Sequence, residues 1–431
     1  MRRSGALTLG VILTLGGATG GRGQELSGSV AEASATSWPS PGGLALPALP
    51  ENWADLPFRL TASQTTSYNS NINAIPLGFA APPGQVRGDF TSTTNFGFST
   101  KANVYGQKLY FDASFGVIRY LHQTSFDSNV YTVSAGDNWT LTSRCAGNLG
   151  VTLSKSPAAI TELVATGVNY VTSTALNETG NCAVSNGFSL LFNSSLTRDT
   201  NSNPIDAVNN TRTAMIEAGI EYAKGPSTLT VLAGVSDTNY TDRTAATTAL
   251  GLATEVDFHR FTLSYTRQIN PNLSVTGLIG LVGVTNAFTL GLPKTLLPVY
   301  TLSASWAFTP KLTLTASGSR TIAPPTTIIA NAEISYDATM NLTYQVTPKV
   351  GLTLGGSAGY STGAFTPGVT GAVLSPFFVG ASNFYTATAG LTYAMTPFLS
   401  AGLSASYTER VGDHLITPQD LVMVNLNYRP Y

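Results

Sequence analysis

The sequence predicts an all-β chain, a transmembrane antiparallel β-barrel of about eighteen strands. Three observations lead there. Long stretches alternate strictly between apolar and polar residues, charged residues are scarce, and the chain opens on a short basic and apolar leader. The clearest alternation runs through residues 334–346, where Ile334, Tyr336, Ala338, Met340, Leu342, Tyr344 and Val346 interleave with Ser335, Asp337, Thr339, Asn341, Thr343 and Gln345. Period two means a strand with one oily and one wet face.

Composition narrows the setting of such strands. Only 10% of the 431 residues are charged and 43% are hydrophobic, whereas soluble domains carry about 25% charge. A soluble fold would be left with a poorly solvated surface, while a barrel in lipid needs an apolar outside. No run reaches the ~20 apolar residues of a membrane helix. The net charge of −1 gives no basic footprint for nucleic acid. Abundant apolar residues and low charge also argue against disorder.

Three regions follow in order. Residues 1–23 have the layout of a signal peptide: Met1, Arg2 and Arg3 are followed by an apolar stretch over 6–15 and small residues over 16–23. Residues 24–55 are rich in Ser, Ala, Pro and Gly, with Pro39, Pro41, Pro47 and Pro50, and read as a periplasmic linker. Residues 56–431 are the barrel, placed by this reading in the bacterial outer membrane.

Strands are expected at 56–69, 90–104, 107–121, 128–143, 146–155, 163–176, 182–198, 212–223 and 227–238. They continue at 252–268, 273–286, 296–308, 311–322, 331–346, 349–361, 382–395, 398–410 and 420–429. Sixteen strands is the other count, because 156–200 is poorly patterned. Tight turns carry Pro, Gly or Asn, as at Lys224-Gly225-Pro226 and Asn270-Pro271-Asn272. They alternate with longer connections at 70–88, 199–211, 239–247, 287–293, 363–381 and 412–419, the asymmetry of short periplasmic turns and longer outer loops. In the 363–381 loop, residues 373–379 are apolar enough to fold into the lumen or pack on the rim. One strand breaks parity: Val256 and Phe258 fall opposite to Phe261, Leu263 and Tyr265. A β-bulge near His259 and Arg260 would restore the faces. Aromatics Tyr344, Trp306, Phe308, Tyr393 and Tyr428 are expected to face lipid at the short-turn side.

The last strand alternates Val422, Val424, Leu426 and Tyr428 with Met423, Asn425, Asn427 and Arg429, and Pro430 and Tyr431 follow. With the leader, the many long strands, the Asn427-Tyr428-Arg429 ending and the Arg144-Cys145 and Asn181-Cys182 segments, residues 56–431 resemble the β-barrel porin-2 family of Gram-negative bacteria. That resemblance implies a passive, porin-like conduit, and family members are associated with exopolysaccharide production and export. The expected partners are outer-membrane lipid and lipopolysaccharide, the barrel-assembly machinery and, through the resemblance, polysaccharide-export proteins.

Chemistry-bearing residues are few. Cys145 and Cys182 fall at the short-turn ends of their strands, on one rim, and an exported chain permits a disulfide between them. Arg59, Asp112, Glu217, Glu221, Glu333, Asp337 and Arg410 lie on the polar parity and are expected to line the lumen, where they would set a local field. His122, His259 and His414 have no nucleophile or activating partner in a recognisable pattern, and no cofactor or metal motif is present. The expected function is therefore not enzymatic. It is passage of hydrophilic solutes or export of exopolysaccharide, with a non-conducting structural or assembly barrel of an envelope polysaccharide-export complex as the rival.

Overall fold

The computed structural model describes residues 58–81, 83–104, 107–157, 169–204, 206–243, 253–285, 296–323, 332–364, 381–412 and 415–429. The leader, the linker, residues 373–379, His414, Pro430 and Tyr431 lie outside them. The strands are β1 Phe58–Asn69, β2 Asp89–Val104, β3 Gln107–Tyr120, β4 Ser128–Asn138, β5 Cys145–Pro157, β6 Tyr170–Ser185, β7 Phe188–Asn201, β8 Thr211–Lys224 and β9 Ser227–Tyr240. They continue as β10 Glu255–Asn270, β11 Leu273–Thr285, β12 Leu296–Thr309, β13 Leu312–Ala323, β14 Ala332–Thr347, β15 Val350–Ala364, β16 Ala381–Ala394, β17 Leu399–Gly412 and β18 Leu415–Tyr428.

These form one 18-stranded antiparallel sheet in which each strand pairs with its sequence neighbours. It closes on itself because β1 pairs with both β2 and β18. In lipid no water is available for a free strand edge, so closure is a condition of stability. Of the two counts read from the sequence, eighteen is the right one.

Parity assigns the two surfaces, since residues paired across strands project from the same face. Ile279, Tyr300 and Leu302 point outward, and Ile279 and Leu302 are each 62% exposed to the surroundings. The expected aromatic belt is present: Trp306 stacks on Phe308 at 3.8 Å, Phe188 meets Tyr222 at 4.5 Å, and Tyr344 and Tyr393 are exposed beside the short turns. A second belt includes Tyr336 with Tyr360 at 6.1 Å and Tyr68 with Phe90 at 4.9 Å. Tyr336 and Tyr344 stand eight positions apart on β14. At ~3.3 Å per residue and a tilt near 40° they are about 20 Å apart in height, close to the ~25 Å of an apolar barrel band.

Three expectations need correction. β10 keeps one continuous register with β9 and β11 through His259 and Arg260, and its only irregularity is at Gln268 and Asn270. No bulge intervenes. Val256 and Phe258 face inward, where they are buried with Tyr240, Val282 and Val299 at the outer end of the barrel. β6 begins and ends later than expected, so Cys182 belongs to its end and not to β7. The final strand starts at Leu415, and the β17–β18 connection is two residues rather than a long loop.

Pro418 therefore sits inside β18. It lies beyond Leu421, the last residue of β18 paired with β1, and its backbone polar groups face away from β17, so its missing N–H leaves the β17 ladder intact. The first outer loop covers the side it faces. The Ser70 N–H donates to the Asp420 carbonyl at 2.9 Å, Asn71 Nδ2 to the Pro418 carbonyl at 2.9 Å, and the Leu77 N–H to the Ile416 carbonyl at 2.7 Å. On the short-turn side, Asn186 and Gly187 both adopt positive φ, 47° and 87°, as a two-residue hairpin demands.

Face assignment gives a sharp expectation. Leu302→Arg should cost about 2–4 kcal/mol in refolding from urea into bilayers, the known penalty near the bilayer midplane. Ser303→Arg, one residue away but lumen-facing, should cost under about 1 kcal/mol. Equal losses in the two variants would show that the faces are wrongly assigned.

Candidate functional site: the lumen wall

The inward parity carries Ser, Thr and Asn along almost every strand. Cross-strand hydroxyls pair with one another: Ser317 with Thr339 at 2.7 Å, Thr266 with Thr276 at 3.0 Å and Thr213 with Thr238 at 3.1 Å. Such pairs satisfy side chains on a wall that also meets water. Thr339 and Asn341 remain exposed although they point inward.

Every charge expected in the lumen falls on the inward parity, and the fold gathers most of them into three groups. On β14 to β17 the register aligns Asp337, Gly359, Phe384 and Arg410 in one row. Glu333 lies further out on the same face and is the charge that acts on Arg410. Arg410 Nη2 also donates to Ser382 Oγ at 3.5 Å.

On β7 to β10 the row is Asn193, Glu217, Gly234 and Arg260. Glu217 is 6% exposed, and its Oε1 lies 3.9 Å from Arg260 Nη1. The two belong to strands that are not adjacent; β9 runs between them. They reach each other because Gly234 presents no side chain, and a Cβ there would collide with Glu217 Cγ. Glu221, nearer the short turns, is half-buried opposite Ser189 and Thr230 and is not part of this pair.

The third group is at the periplasmic ends of β1 to β4. Arg59, Ser99, Asp112 and Ser134 share a row. Asp112 lines a recess of about 220 Å³ together with Thr61, Ser99, Ser114, Thr132 and Ser134.

Sequence reasoning missed other inward charges. Arg260 was assigned to the suspected bulge, while Asp89, Lys101, Lys108 and Asp199 were passed over, although the same parity rule selects them. Asp89 serves the fold: its buried carboxylate accepts from the backbone N–H groups of Phe90, His122 and Gln123 at 2.8, 3.0 and 2.8 Å, and pairs with His122 Nδ1 at 3.0 Å. At the outer end the Arg243 guanidinium lies 3.4 Å from the centre of the Tyr240 ring and donates to the Ala253 carbonyl. Burial pushes this guanidinium below its ordinary pKa, and the Tyr240 beside it acts the other way.

The cysteines also meet. Cys145 and Cys182 are directly opposite across β5 and β6, with Cα atoms 4.1 Å apart, and form a disulfide. Both take the parity of lipid-facing Leu149 and Val151, so the bridge is on the outside of the periplasmic rim and not in the lumen.

An apolar belt outside, a hydroxyl-rich wall inside, closure without an edge and short turns on the rim where β1 begins and β18 ends together define a barrel of the bacterial outer membrane. The chain resides there. No family model matches it, and no curated protein matches it. Among solved structures it is similar to OprD from Pseudomonas aeruginosa, with 10% identity and a TM-score of 0.46 over 86% of this chain and 94% of that one. It is also similar to OccK5 (OpdH) from the same organism, with 10% identity and a TM-score of 0.45 over 87% and 98%. A bacterial polysaccharide outer membrane secretin gives 12% identity and a TM-score of 0.36 over 86% and 98%.

Two outcomes test this geometry. Glu217→Ala and Arg260→Ala should each destabilise the barrel, and the double variant should be less destabilised than their sum by about 1 kcal/mol or more, read from a double-mutant cycle of urea unfolding. Protein unfolded without reductant should bind no maleimide; full labelling of both Cys145 and Cys182 would remove the disulfide.

Proposed function

We propose that the barrel is a water-filled channel for passive passage of small hydrophilic solutes. The observation that carries this reading is the solvated, hydroxyl-rich inner wall, where Thr339 and Asn341 stay exposed in the barrel interior. Size supports it. With strands ~4.8 Å apart and tilted about 40°, an 18-stranded barrel has a backbone radius of about 18 Å. Inward Ser and Thr are too short to fill that bore.

The wall's chemistry narrows the solute class. Hydroxyls and amides dominate, and the charges are of both signs. Asp89, Asp112, Asp199, Glu217, Glu221, Glu333 and Asp337 are largely offset by Arg59, Lys101, Lys108, Arg260 and Arg410, with a small acidic excess. Such a lining suits neutral polyhydroxylated solutes better than ions of one sign. Sugars, and exopolysaccharide in export as the porin-2 resemblance implies, belong to that class.

Planar-bilayer recording tests the channel. Purified protein should give stepwise current with weak cation preference. Glu333→Gln combined with Asp337→Asn should move the reversal potential toward anions. Liposomes bearing the protein should swell in uncharged sugars. Absence of any current would favour the non-conducting envelope barrel instead.

A further inference from the structure

We propose that Asp237, Glu255 and Asp257 form a binding site for a divalent cation of the calcium type on the outer face of the barrel, above the lipid belt. The fold makes the cluster. Asp257 on β10 lies directly opposite Asp237 on β9, and Glu255 follows two residues along the same face of β10. One oxygen from each carboxylate lies within 4.8 Å of the others. Asp237 and Asp257 take the parity of Ala233 and of lipid-facing Phe261, so they project from the outside of the wall. Asp257 is four positions beyond Phe261 toward the outer loops.

Placed there without a cation, the three acids work against the strand pairing. Like charges directly opposite in an antiparallel pair are destabilising. Burial makes the conflict worse: Asp257 is 0% exposed, neither of its carboxylate oxygens accepts a hydrogen bond of good geometry, and the Thr285 side chain is the one donor that acts on it. The Oδ1 of Asp237 is likewise buried without a hydrogen bond. A buried carboxylate ordinarily keeps its charge only with donors or a cation beside it.

Among the described residues no protein cation makes an ion pair with the trio. Arg212 acts electrostatically on Asp237 but stands exposed on β8, opposite Asn239, and makes no ion pair with the trio. His259, the next outward residue toward the lipid on β10, acts electrostatically on Asp257 but forms no ion pair with it. Two buried oxygens aimed at one point, with a third carboxylate beside them, are an oxygen-only donor set. That set selects hard cations such as calcium or magnesium over zinc or copper. Calcium accepts the irregular geometry of a strand-borne site, and water would complete its shell. The inference is independent of whether the lumen conducts.

Calcium titration of the full, EDTA-stripped barrel in detergent tests the site. Isothermal calorimetry should show one saturable event with Kd on the order of 10⁻⁴–10⁻³ M, the range of extracellular calcium sites. Calcium should also raise the melting temperature, and EDTA should reverse the rise. Asp237→Asn with Asp257→Asn should abolish both effects, with assembly verified by heat-shifted gel migration. Should that variant not assemble, Glu255→Gln, at the half-exposed edge of the cluster, should weaken binding at least tenfold. No saturable binding by the natural chain overturns the proposal. So does an unchanged Kd in Glu255→Gln or in the assembled double variant.

Discussion

Closure of the sheet between β1 and β18 is the constraint on which everything else depends. A strand edge in hydrocarbon leaves N–H and C=O groups with nothing to bond, at several kcal/mol each. The eight pairs from Ala62–Tyr428 to Asn69–Leu421 remove that edge. They also fix parity around the whole ring. Ser67 and Asn69 on β1 meet Met423 and Leu421 on β18 with the same inward sense that β2 to β17 carry round from the other side. Once parity is fixed, each residue is assigned to lipid or lumen without further choice.

Closure is less simple at the outer end, where β18 extends past β1. There the chain uses a loop in place of a strand. Asn71 donates to the carbonyls of Ile75 and Pro418, and Arg87 Nη2 donates to the carbonyl of Pro76 at 2.8 Å. Ile72 and Ile75 are buried beneath this network. The loop is ordered by the unpaired groups it has to satisfy, which is why a polar, Asn-rich segment packs like a core.

Strand number and most strand spans were legible because the solvent differs on the two sides of every strand. Legibility failed where that difference lapses. β6 carries Glu178 and Gly180 on its outward parity next to Asn177, Thr179 and Asn181, so no alternation marks it near the periplasmic rim. Pro418 and Gln419 read as loop because they lie beyond the lipid belt. Val256 and Phe258 suggest a bulge only if every apolar residue on a strand faces lipid. At the outer end of this barrel they pack against Tyr240 and Val282 inside the wall instead. The lumen charges were legible residue by residue. The Glu217–Arg260 contact was not, since it needs β9 in register between its partners with Gly234 at the crossing point.

The same lapse explains why the outer acidic trio escaped a reading by parity. Within the belt, a charge on the outward face is excluded by lipid; above it, nothing excludes the charge, and the parity rule loses its force. The outward face of β9 and β10 crosses that boundary within four residues, from Phe261 to Asp257. A carboxylate that remained bare at this crossing would meet both its neighbour's charge and a buried setting. The lumen shows the contrast: there Glu217 is buried too, but an arginine is placed to meet it. The wall thus holds two solutions to buried acid. One uses a side chain supplied by the sheet; in the other, the proposed calcium ion would take the place that arginine holds in the lumen.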